Sequence, residues 1–493
     1  MTQTLTNILE EETQAGLCSS NQIFKIENHD EAYYIWKDAG IKQRILIHID
    51  AHNDMWWMQK NSTISIANFI CLALKEDIIK EVFWIVPDKS WKTSETRNNI
   101  LRNLKEISQS YPGSLPVNVE KNQMSTVVLG KLLKVCTISS LPYINECVLL
   151  DIDIDYFVIP YVSYRKTDKH TKLPWCWPGE LIAKLNSHKV STDLITIAYS
   201  VEGGYTPLMW KYLGDELALR LEQSDFNKAA IHGMELIKEA ATITQSGDLT
   251  GGEEKYHEAR ILLPNSPVPY YHLALLYAEM ERNTEAQKFY QQALRIDPSY
   301  RTPYNSTALQ YYLDGGFLES EKEYRKVLLL DPEDAYAHLG LGLLAIKKKN
   351  YKEAEALLRR SLELDKNLTD AYRSLGDVFA KLGRIDEAIV AYEISLKLSL
   401  AGFRSLEASI VTCTGKNRIE DPYHHQIHAK RASLYALKGQ TTEAINGYKI
   451  SIAGGYDHTF IRYQLACLYL KQNNWKKALQ EIWLAVMKIP SGL

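Results

Sequence analysis

The chain has 493 residues, 45% hydrophobic and 24% charged, with a formal net charge of −3, which suits two or three domains and excludes nucleic-acid binding through a basic surface. It begins with an acidic stretch that lacks an apolar signal-peptide core and has no run of 18 apolar residues, so we expect neither secretion nor a membrane partner. Its seven cysteines show no CxxC spacing, which is typical of reduced thiols and leads us to expect a cytoplasmic protein.

The N-terminal half alternates short apolar runs with helix-like stretches. Four runs are predicted strands: Ile45–Asp50, Glu81–Val86, Cys147–Asp153 and Leu194–Ser200. The stretches Ile66–Lys80 and Ser94–Gln109 are predicted helices, with Ser94 placed to cap the second. Three of the strand runs are rich in Val, Ile and Leu without clean alternation, which is typical of strands buried on both faces of a parallel sheet. We therefore predict an α/β domain over residues 1–215, with a mostly parallel sheet and helices on both faces.

Two of the predicted strands end in groups of ionisable residues. The first is HIDAHND, which contains Asp50, His52 and Asp54. The second is LLDIDIDYF, in which aspartates alternate with apolar residues at positions Asp151, Asp153 and Asp155. Binding sites in open α/β sheets form at the carboxyl ends of the strands, and both groups stand at such ends.

The carboxylates of these two groups would destabilise the fold unless cations compensate them. The alternative is a solvated edge strand with an acidic face, but the residues around the aspartates are too apolar for an edge. Carboxylates mixed with imidazole suit Mn²⁺ better than structural zinc, which would use cysteines. The number of carboxylates favours two ions.

The C-terminal half repeats with a period of 34 residues, as Tyr290 and Tyr324 illustrate. This pattern resembles the tetratricopeptide repeat, a helix–turn–helix unit. Six copies are predicted, at about 267–300, 301–334, 335–368, 369–402, 425–458 and 459–492. The stretch Ala401–Pro422 interrupts the period and is predicted to be a longer turn or a helix extension. We predict a helical connector over residues 216–252 and an all-α solenoid over 253–493, whose concave face would hold a peptide or partner segment.

The ionisable groups also carry a family resemblance. DAHND resembles the DAHxD motif of the arginase and agmatinase (ureohydrolase) superfamily, and DIDIDYF resembles its later DxD strand. The family also has an earlier histidine ligand and a late glutamate that binds guanidinium; His29 and Glu202 stand at those places in chain order. More closely, HIDAHNDMW, ANFICLA and DIDIDYF are similar to a divergent branch that includes bacterial peptide arginases.

The resemblance implies an arginase/deacetylase-like domain with two Mn²⁺ ions, although other divalent metals also suit such ligands. The implied ligands are His29, Asp50, Asp54 and Asp153 for one ion, and Asp50, His52, Asp153 and Asp155 for the other. Asp151 with Asp153 is the alternative pair in the second motif, which would leave Asp155 outside the ligand set. His48 is either a hydrogen-bonding neighbour of the ligands or a core histidine.

The resemblance further implies hydrolysis of a guanidinium group to urea and an amine, with Glu202 holding the guanidinium. Since the repeats favour a polypeptide substrate, we predict a peptide arginase that converts arginine to ornithine in a ribosomally made precursor peptide. The chain departs from ordinary arginases, because no histidine follows DAHND where the family has its proton shuttle. Trp175 and Trp177, in a predicted loop over 164–180, either contact substrate or pack.

Three alternative functions stay open. One is a ureohydrolase that acts on a small guanidino compound. Another is a deacetylase-like amide hydrolase, although the paired histidines that family normally uses are missing from the N-terminal half. The third is a non-catalytic repeat scaffold, against which the complete set of acidic residues argues.

Overall fold

A computed structural model of the chain describes residues 22–55, 64–164, 169–201, 205–222, 224–301, 306–400 and 423–487. The chain forms two compact units, the first running to Pro332 and the second beginning at Glu333. The first unit contains a sheet and the first two predicted repeats, and the second unit contains the later repeats. The predicted turn over Ala401–Pro422 lies outside the described residues.

Within the described residues, the first unit is built on an eight-stranded sheet. Its strands are β1 (Gln22–Ile26), β2 (Arg44–Ile49), β3 (Ile79–Ile85), β4 (Asn118–Val119), β5 (Gln123–Val128), β6 (Lys131–Cys136), β7 (Val148–Asp153) and β8 (Thr192–Ala198). Their order across the sheet is β1-β8-β7-β2-β3-β6-β5-β4. Neighbours from β1 to β6 are parallel, and β6, β5 and β4 form an antiparallel edge. The four predicted strands are the adjacent central strands β8, β7, β2 and β3.

Some helices of the first unit cover the two faces of this sheet, and the later ones belong to the repeats. The helices of this unit are α1 (Glu31–Asp38), α2 (Phe69–Lys75), α3 (Ser94–Ser110), α4 (Asp155–Val158), α5 (Pro178–Ser187), α6 (Tyr212–Leu221), α7 (Lys228–Gln245), α8 (Leu249–Leu262), α9 (Pro267–Glu279), α10 (Asn283–Ile296), α11 (Ser306–Leu313) and α12 (Phe317–Leu330). Leu46 and Trp84 pack with α1, α2 and α3 on one face. Ile47 and Phe83 pack with α5, α6 and α7 on the other. Successive residues of a strand point to opposite faces of the sheet. Because helices cover both faces, the residues that point to either face must be apolar.

Two helix predictions need correction. Ser94 is the first residue of α3, and the cap is Thr93, whose Oγ1 accepts a hydrogen bond from the Thr96 nitrogen at 3.2 Å. The predicted serine cap is therefore wrong by one residue. The other helix, α2, is shorter than predicted because β3 already begins at Ile79.

The apolar core beside the sheet continues into the first repeat helices. Leu213 of α6, Tyr256 of α8 and Tyr277 of α9 belong to the same core as Ile47. His272 of α9 is buried there, and its Nε2 lies 3.0 Å from the Met209 carbonyl oxygen. The sheet and these helices therefore share one core.

We expect His272 to make the first unit less stable as the pH falls from about 6.5 to about 4. Burial lowers the pKa of His272 to about 4, so the folded histidine stays neutral where the unfolded one takes up a proton. The folded state is therefore penalised below the unfolded pKa, by at most about 3 kcal/mol. Urea titrations at pH 7 and 4.5 should show a smaller loss of stability for His272→Gln than for wild type. His232→Gln, which changes an exposed side chain, should behave as wild type; equal losses in all three proteins would contradict this assignment.

The second unit consists of helix pairs at the predicted repeat positions. Its described helices are α13 (Ala335–Lys347), α14 (Tyr351–Leu364), α15 (Thr369–Lys381), α16 (Ile385–Leu400), α17 (His424–Leu437), α18 (Thr441–Ala453), α19 (Thr459–Lys471) and α20 (Trp475–Val486). Among the helices of the described residues, none is both long and apolar enough to span a membrane.

Gly376 allows the paired helices α15 and α16 to approach closely. A Cβ atom at this position would lie 2.5 Å from Cε1 of Tyr392. We expect Gly376→Ala to destabilise the second unit by about 2 kcal/mol, even though alanine favours helix. In a Tyr392→Leu background the same change should cost much less, because the clashing ring is gone. Chemical denaturation of the four proteins measures this coupling, and equal costs in both backgrounds would contradict it.

Candidate metal centre

The two groups of ionisable residues meet at the carboxyl ends of β2 and β7. These strands are neighbours, with Ile49 opposite Ile152, so the residues that follow them lie side by side. We use the name His/Asp cluster for eight residues that contact one another there: His29, His48, Asp50, His52, Asp54, Asp151, Asp153 and Asp155. The structure therefore brings together all six predicted metal ligands, the alternative Asp151, and His48.

His29 lies between β1 and α1, and its Nδ1 atom is at the centre of the cluster. This atom lies 3.3 Å from Asp50 Oδ2, 3.0 Å from Asp54 Oδ2 and 3.1 Å from Asp153 Oδ2. One imidazole N–H cannot satisfy three carboxylates, so the convergence leaves negative charge for which a cation is a suitable partner.

His52 and Asp155 form the more exposed end of the cluster. His52 Nδ1 lies 2.8 Å from Asp155 Oδ2 and 3.4 Å from Asp50 Oδ1. The Asp155 nitrogen donates a hydrogen bond to Asp153 Oδ1 at 2.9 Å. Asp50 and Asp153 thus stand between the two ends of the cluster and would be the ligands shared by two ions. The His52 side chain is 20% exposed, so the cluster is accessible from this end.

Asp151 lies deeper than the other aspartates, and its side chain is fully buried. Its Oδ2 atom is 2.8 Å from both His29 Nε2 and His48 Nδ1, and Thr196 Oγ1 donates to its Oδ1. Asp151 therefore stands behind the histidines, an arrangement that favours Asp153 with Asp155 as the ligand pair.

The pKa values in the cluster reflect crowded negative charge. Burial raises the pKa of Asp155 well above its usual range, and Asp153 and Asp50 raise it further. Burial and the neighbouring Asp50 likewise raise the pKa of Asp54. Burial also opposes ionisation of Asp50, but the neighbouring His29 and His52 imidazoles outweigh it and hold the pKa of Asp50 well below its usual range. Divalent cations would relieve the repulsion among these carboxylates.

Several polar atoms of the cluster fit a role as metal ligands. Among the described residues, His48 Nε2, Asp50 Oδ2 and Asp155 Oδ1 have no hydrogen-bond partner. Such buried atoms cost stability unless an ion or another group satisfies them. Two sets of ligand atoms lie close enough to hold an ion, namely His29, His48 and Asp50, and Asp50, His52 and Asp155. Because the sets share Asp50, the cluster suits two ions.

Two asparagines that sequence reasoning missed hold the loop after β2. Asn53 Oδ1 accepts from the Met55 nitrogen at 2.9 Å, and Asn53 Nδ2 donates to Asn103 Oδ1 at 3.1 Å. Asn103 in turn donates to the Ser163 carbonyl oxygen at 2.9 Å. These bonds support Asp54, whose φ of 49° is in the left-handed region. The only local signal for them was the asparagine within DAHND.

Glu202, the predicted guanidinium ligand, lies outside the described residues, and its role stays a prediction. The residues just before it contact the cluster and its surroundings. Ser200 Oγ donates to Asp153 Oδ2 at 2.6 Å, and the Val201 nitrogen donates to Glu27 Oε1 at 2.7 Å.

The two tryptophans of the predicted loop pack within the first unit. Trp175 Nε1 donates to the Tyr156 carbonyl oxygen, and the two rings are 5.0 Å apart. The Trp177 ring lies 6.0 Å from that of Trp210. These contacts favour packing over substrate contact for both residues.

Comparisons with known proteins identify the repeats. The tetratricopeptide repeat family matches residues 269–300 and 308–368. The C-terminal half is a tetratricopeptide-repeat solenoid. This confirms the repeat prediction and its all-α class. Proteins of this kind typically bind peptides or other proteins. No curated protein matches the chain.

Several solved structures are similar to parts of the chain. MamA is 19% identical, covering 38% of this chain and 95% of that chain, with a TM-score of 0.31. YrrB, described as a TPR protein with an unusual peptide-binding site, is 18% identical. The match covers 48% of this chain and 93% of YrrB, with a TM-score of 0.27. A tetratricopeptide repeat protein from Parabacteroides merdae is 20% identical. The match covers 52% of this chain and 94% of that protein, with a TM-score of 0.26.

Proposed function

We propose that this tetratricopeptide-repeat protein is a cytoplasmic, metal-dependent peptide arginase, which hydrolyses arginine residues of a peptide to ornithine residues and urea. The observation that carries the proposal is the convergence of the Asp50 and Asp153 loops on His29 and His52 at the edge of a mostly parallel sheet. This arrangement supports the resemblance to the ureohydrolases, which rests on the order and spacing of these residues in the sequence.

The proposed ligands of two Mn²⁺ ions are His29, Asp50, His52, Asp54, Asp153 and Asp155. When bound, two such ions activate water and stabilise developing negative charge. The chain's own residues would orient the substrate. A guanidinium cation would enter at the His52 end of the cluster, and Glu202 would hold it through charge-assisted hydrogen bonds. Tyr205, whose ring lies 5.4 Å from that of His52, is close enough to contact a substrate at this end.

The repeats support a polypeptide substrate. A solenoid of helix pairs offers an extended surface that can bind a peptide while one of its arginines enters the cluster. We propose a ribosomally made precursor peptide as this substrate. Binding to the repeats would lower the KM for peptides relative to free arginine.

A second candidate is a non-catalytic repeat scaffold. The family matches lie within the repeats, and the comparisons favour this candidate over any enzyme. In a scaffold, the His/Asp cluster would bind metal for structure, and bound peptides would keep their arginines.

Urea release from several substrates separates these functions. The full chain with Mn²⁺ should release urea from arginine-containing peptides faster than from free arginine at equal low concentration. Release from free arginine or a small guanidino compound alone would support a ureohydrolase of small molecules. Acetate release from an acetyl-lysine peptide would support a deacetylase-like hydrolase, and peptide binding without any product would support the scaffold.

A further inference from the structure

A row of polar residues crosses the sheet beneath the His/Asp cluster. His48 pairs with Asp151 across β2 and β7, and Asp151 pairs with Thr196 across β7 and β8. All three side chains are buried on a face where Leu46 and Leu149 belong to the apolar core. Polar groups in such a core cost stability unless each is satisfied, so the row has a role other than packing.

The carboxylate of Asp151 lies within hydrogen-bond distance of three donor groups. Its Oδ2 atom faces His29 Nε2 and His48 Nδ1, each at 2.8 Å, and its Oδ1 atom accepts from Thr196. A carboxylate surrounded by donors is ionised and can only accept hydrogen bonds. Each imidazole therefore keeps a proton on the nitrogen that faces Asp151.

The other nitrogens of the two imidazoles are the ones available to a metal ion, and both face Asp50. His29 Nδ1 is 3.3 Å and His48 Nε2 is 3.4 Å from the same Asp50 Oδ2 atom. Neither His48 Nε2 nor Asp50 Oδ2 has a hydrogen-bond partner in the part of the chain that the structure describes. Ligands of one ion with bonds of about 2.1 Å lie roughly 3–3.5 Å apart, which matches these separations.

We propose that Asp151 is a positioning residue that turns both His29 and His48 toward one ion, and that His48 is an additional nitrogen ligand of the centre. The ligand set implied by the family resemblance includes His29 but not His48, and Asp151 enters that set only as the alternative ligand. The inference rests on the metal centre of the proposed function and not on the reaction that the centre performs.

The first test is Mn²⁺ affinity of the full chain, measured by competition with a fluorescent chelator. Asp151→Asn keeps the shape of the side chain but removes its charge, and we expect Mn²⁺ affinity to fall by about 10- to 100-fold. The control is Glu216→Gln, which alters another buried carboxylate, paired with Arg220 at 2.8 Å, and should bind Mn²⁺ as wild type does. A folded Asp151→Asn variant with wild-type affinity would overturn the proposal.

The second test counts the metal-bound imidazoles and does not depend on the fold of the Asp151 variant. Pulsed electron paramagnetic resonance of bound Mn²⁺, with ¹⁵N-labelled histidine, should detect one imidazole fewer in His48→Gln than in wild type. An unchanged count would exclude His48 as a ligand, and a wild-type chain that binds no Mn²⁺ would overturn both proposals. Mn²⁺ binding without urea release would contradict the hydrolase but leave the assignment of Asp151 intact.

Discussion

Asp50→Asn should abolish tight binding of Mn²⁺ and all urea release. Asp50 reaches both ends of the cluster, with Oδ2 3.3 Å from His29 Nδ1 and Oδ1 3.4 Å from His52 Nδ1. The substitution removes a charge that both sets of ligands share, so we expect affinity to fall by more than about 100-fold. Metal content after gel filtration and urea release from a peptide measure the two effects.

A matched control for this variant lies at the other end of the sheet. Asp193, near the start of β8, pairs with Arg44 at the start of β2 at 2.8 Å. Asp193→Asn should therefore keep both Mn²⁺ binding and urea release. An Asp50→Asn chain that still binds two ions would show that the assignment of ligands is wrong.

A chain that ends at Pro332 should fold and bind Mn²⁺, whereas a chain that ends at Gly252 should not fold. The second cut removes Tyr256 and His272, whose rings lie 5.3 Å apart and cover Tyr212. Losing several large buried side chains, at about 1.5–3 kcal/mol each, is comparable to the whole stability of a domain. Circular dichroism, thermal melting and metal content compare the two chains.

The truncated chains also test the role of the repeats. The chain ending at Pro332 should release urea from free arginine as the full chain does, but with a higher KM for peptides. A folded, metal-binding chain ending at Gly252 would contradict the shared core. An unchanged KM for peptides in the longer truncation would show that the second unit does not bind the substrate.

Much of the sheet could be predicted because its central strands are continuous apolar runs. The antiparallel edge was missed because β5 alternates buried and partly buried positions, and β4 has two exposed residues. At the other edge, most residues of β1 are exposed or only partly buried. This strand therefore lacks the apolar run that marked the central strands.

The candidate site could be predicted only where its residues follow a strand. Asp50 and Asp153 were found in this way, whereas His29 was found through the family resemblance alone. The contacts of Asp151 with His48 and Thr196 depend on the register of three strands, which local patterns do not reveal. The repeats were predictable from their period. The boundary between the two compact units after Pro332 was not, because the period continues across it.

The mass of an arginine-containing peptide after incubation with the full chain and Mn²⁺ tests the central claim most directly. Each converted arginine should lose the equivalent of CN₂H₂ as urea forms, and tandem mass spectrometry should locate ornithine at that position. The Asp50→Asn chain should leave the peptide unchanged. A peptide that binds the wild-type, Mn²⁺-loaded chain but keeps its full mass would contradict the peptide arginase and support the scaffold.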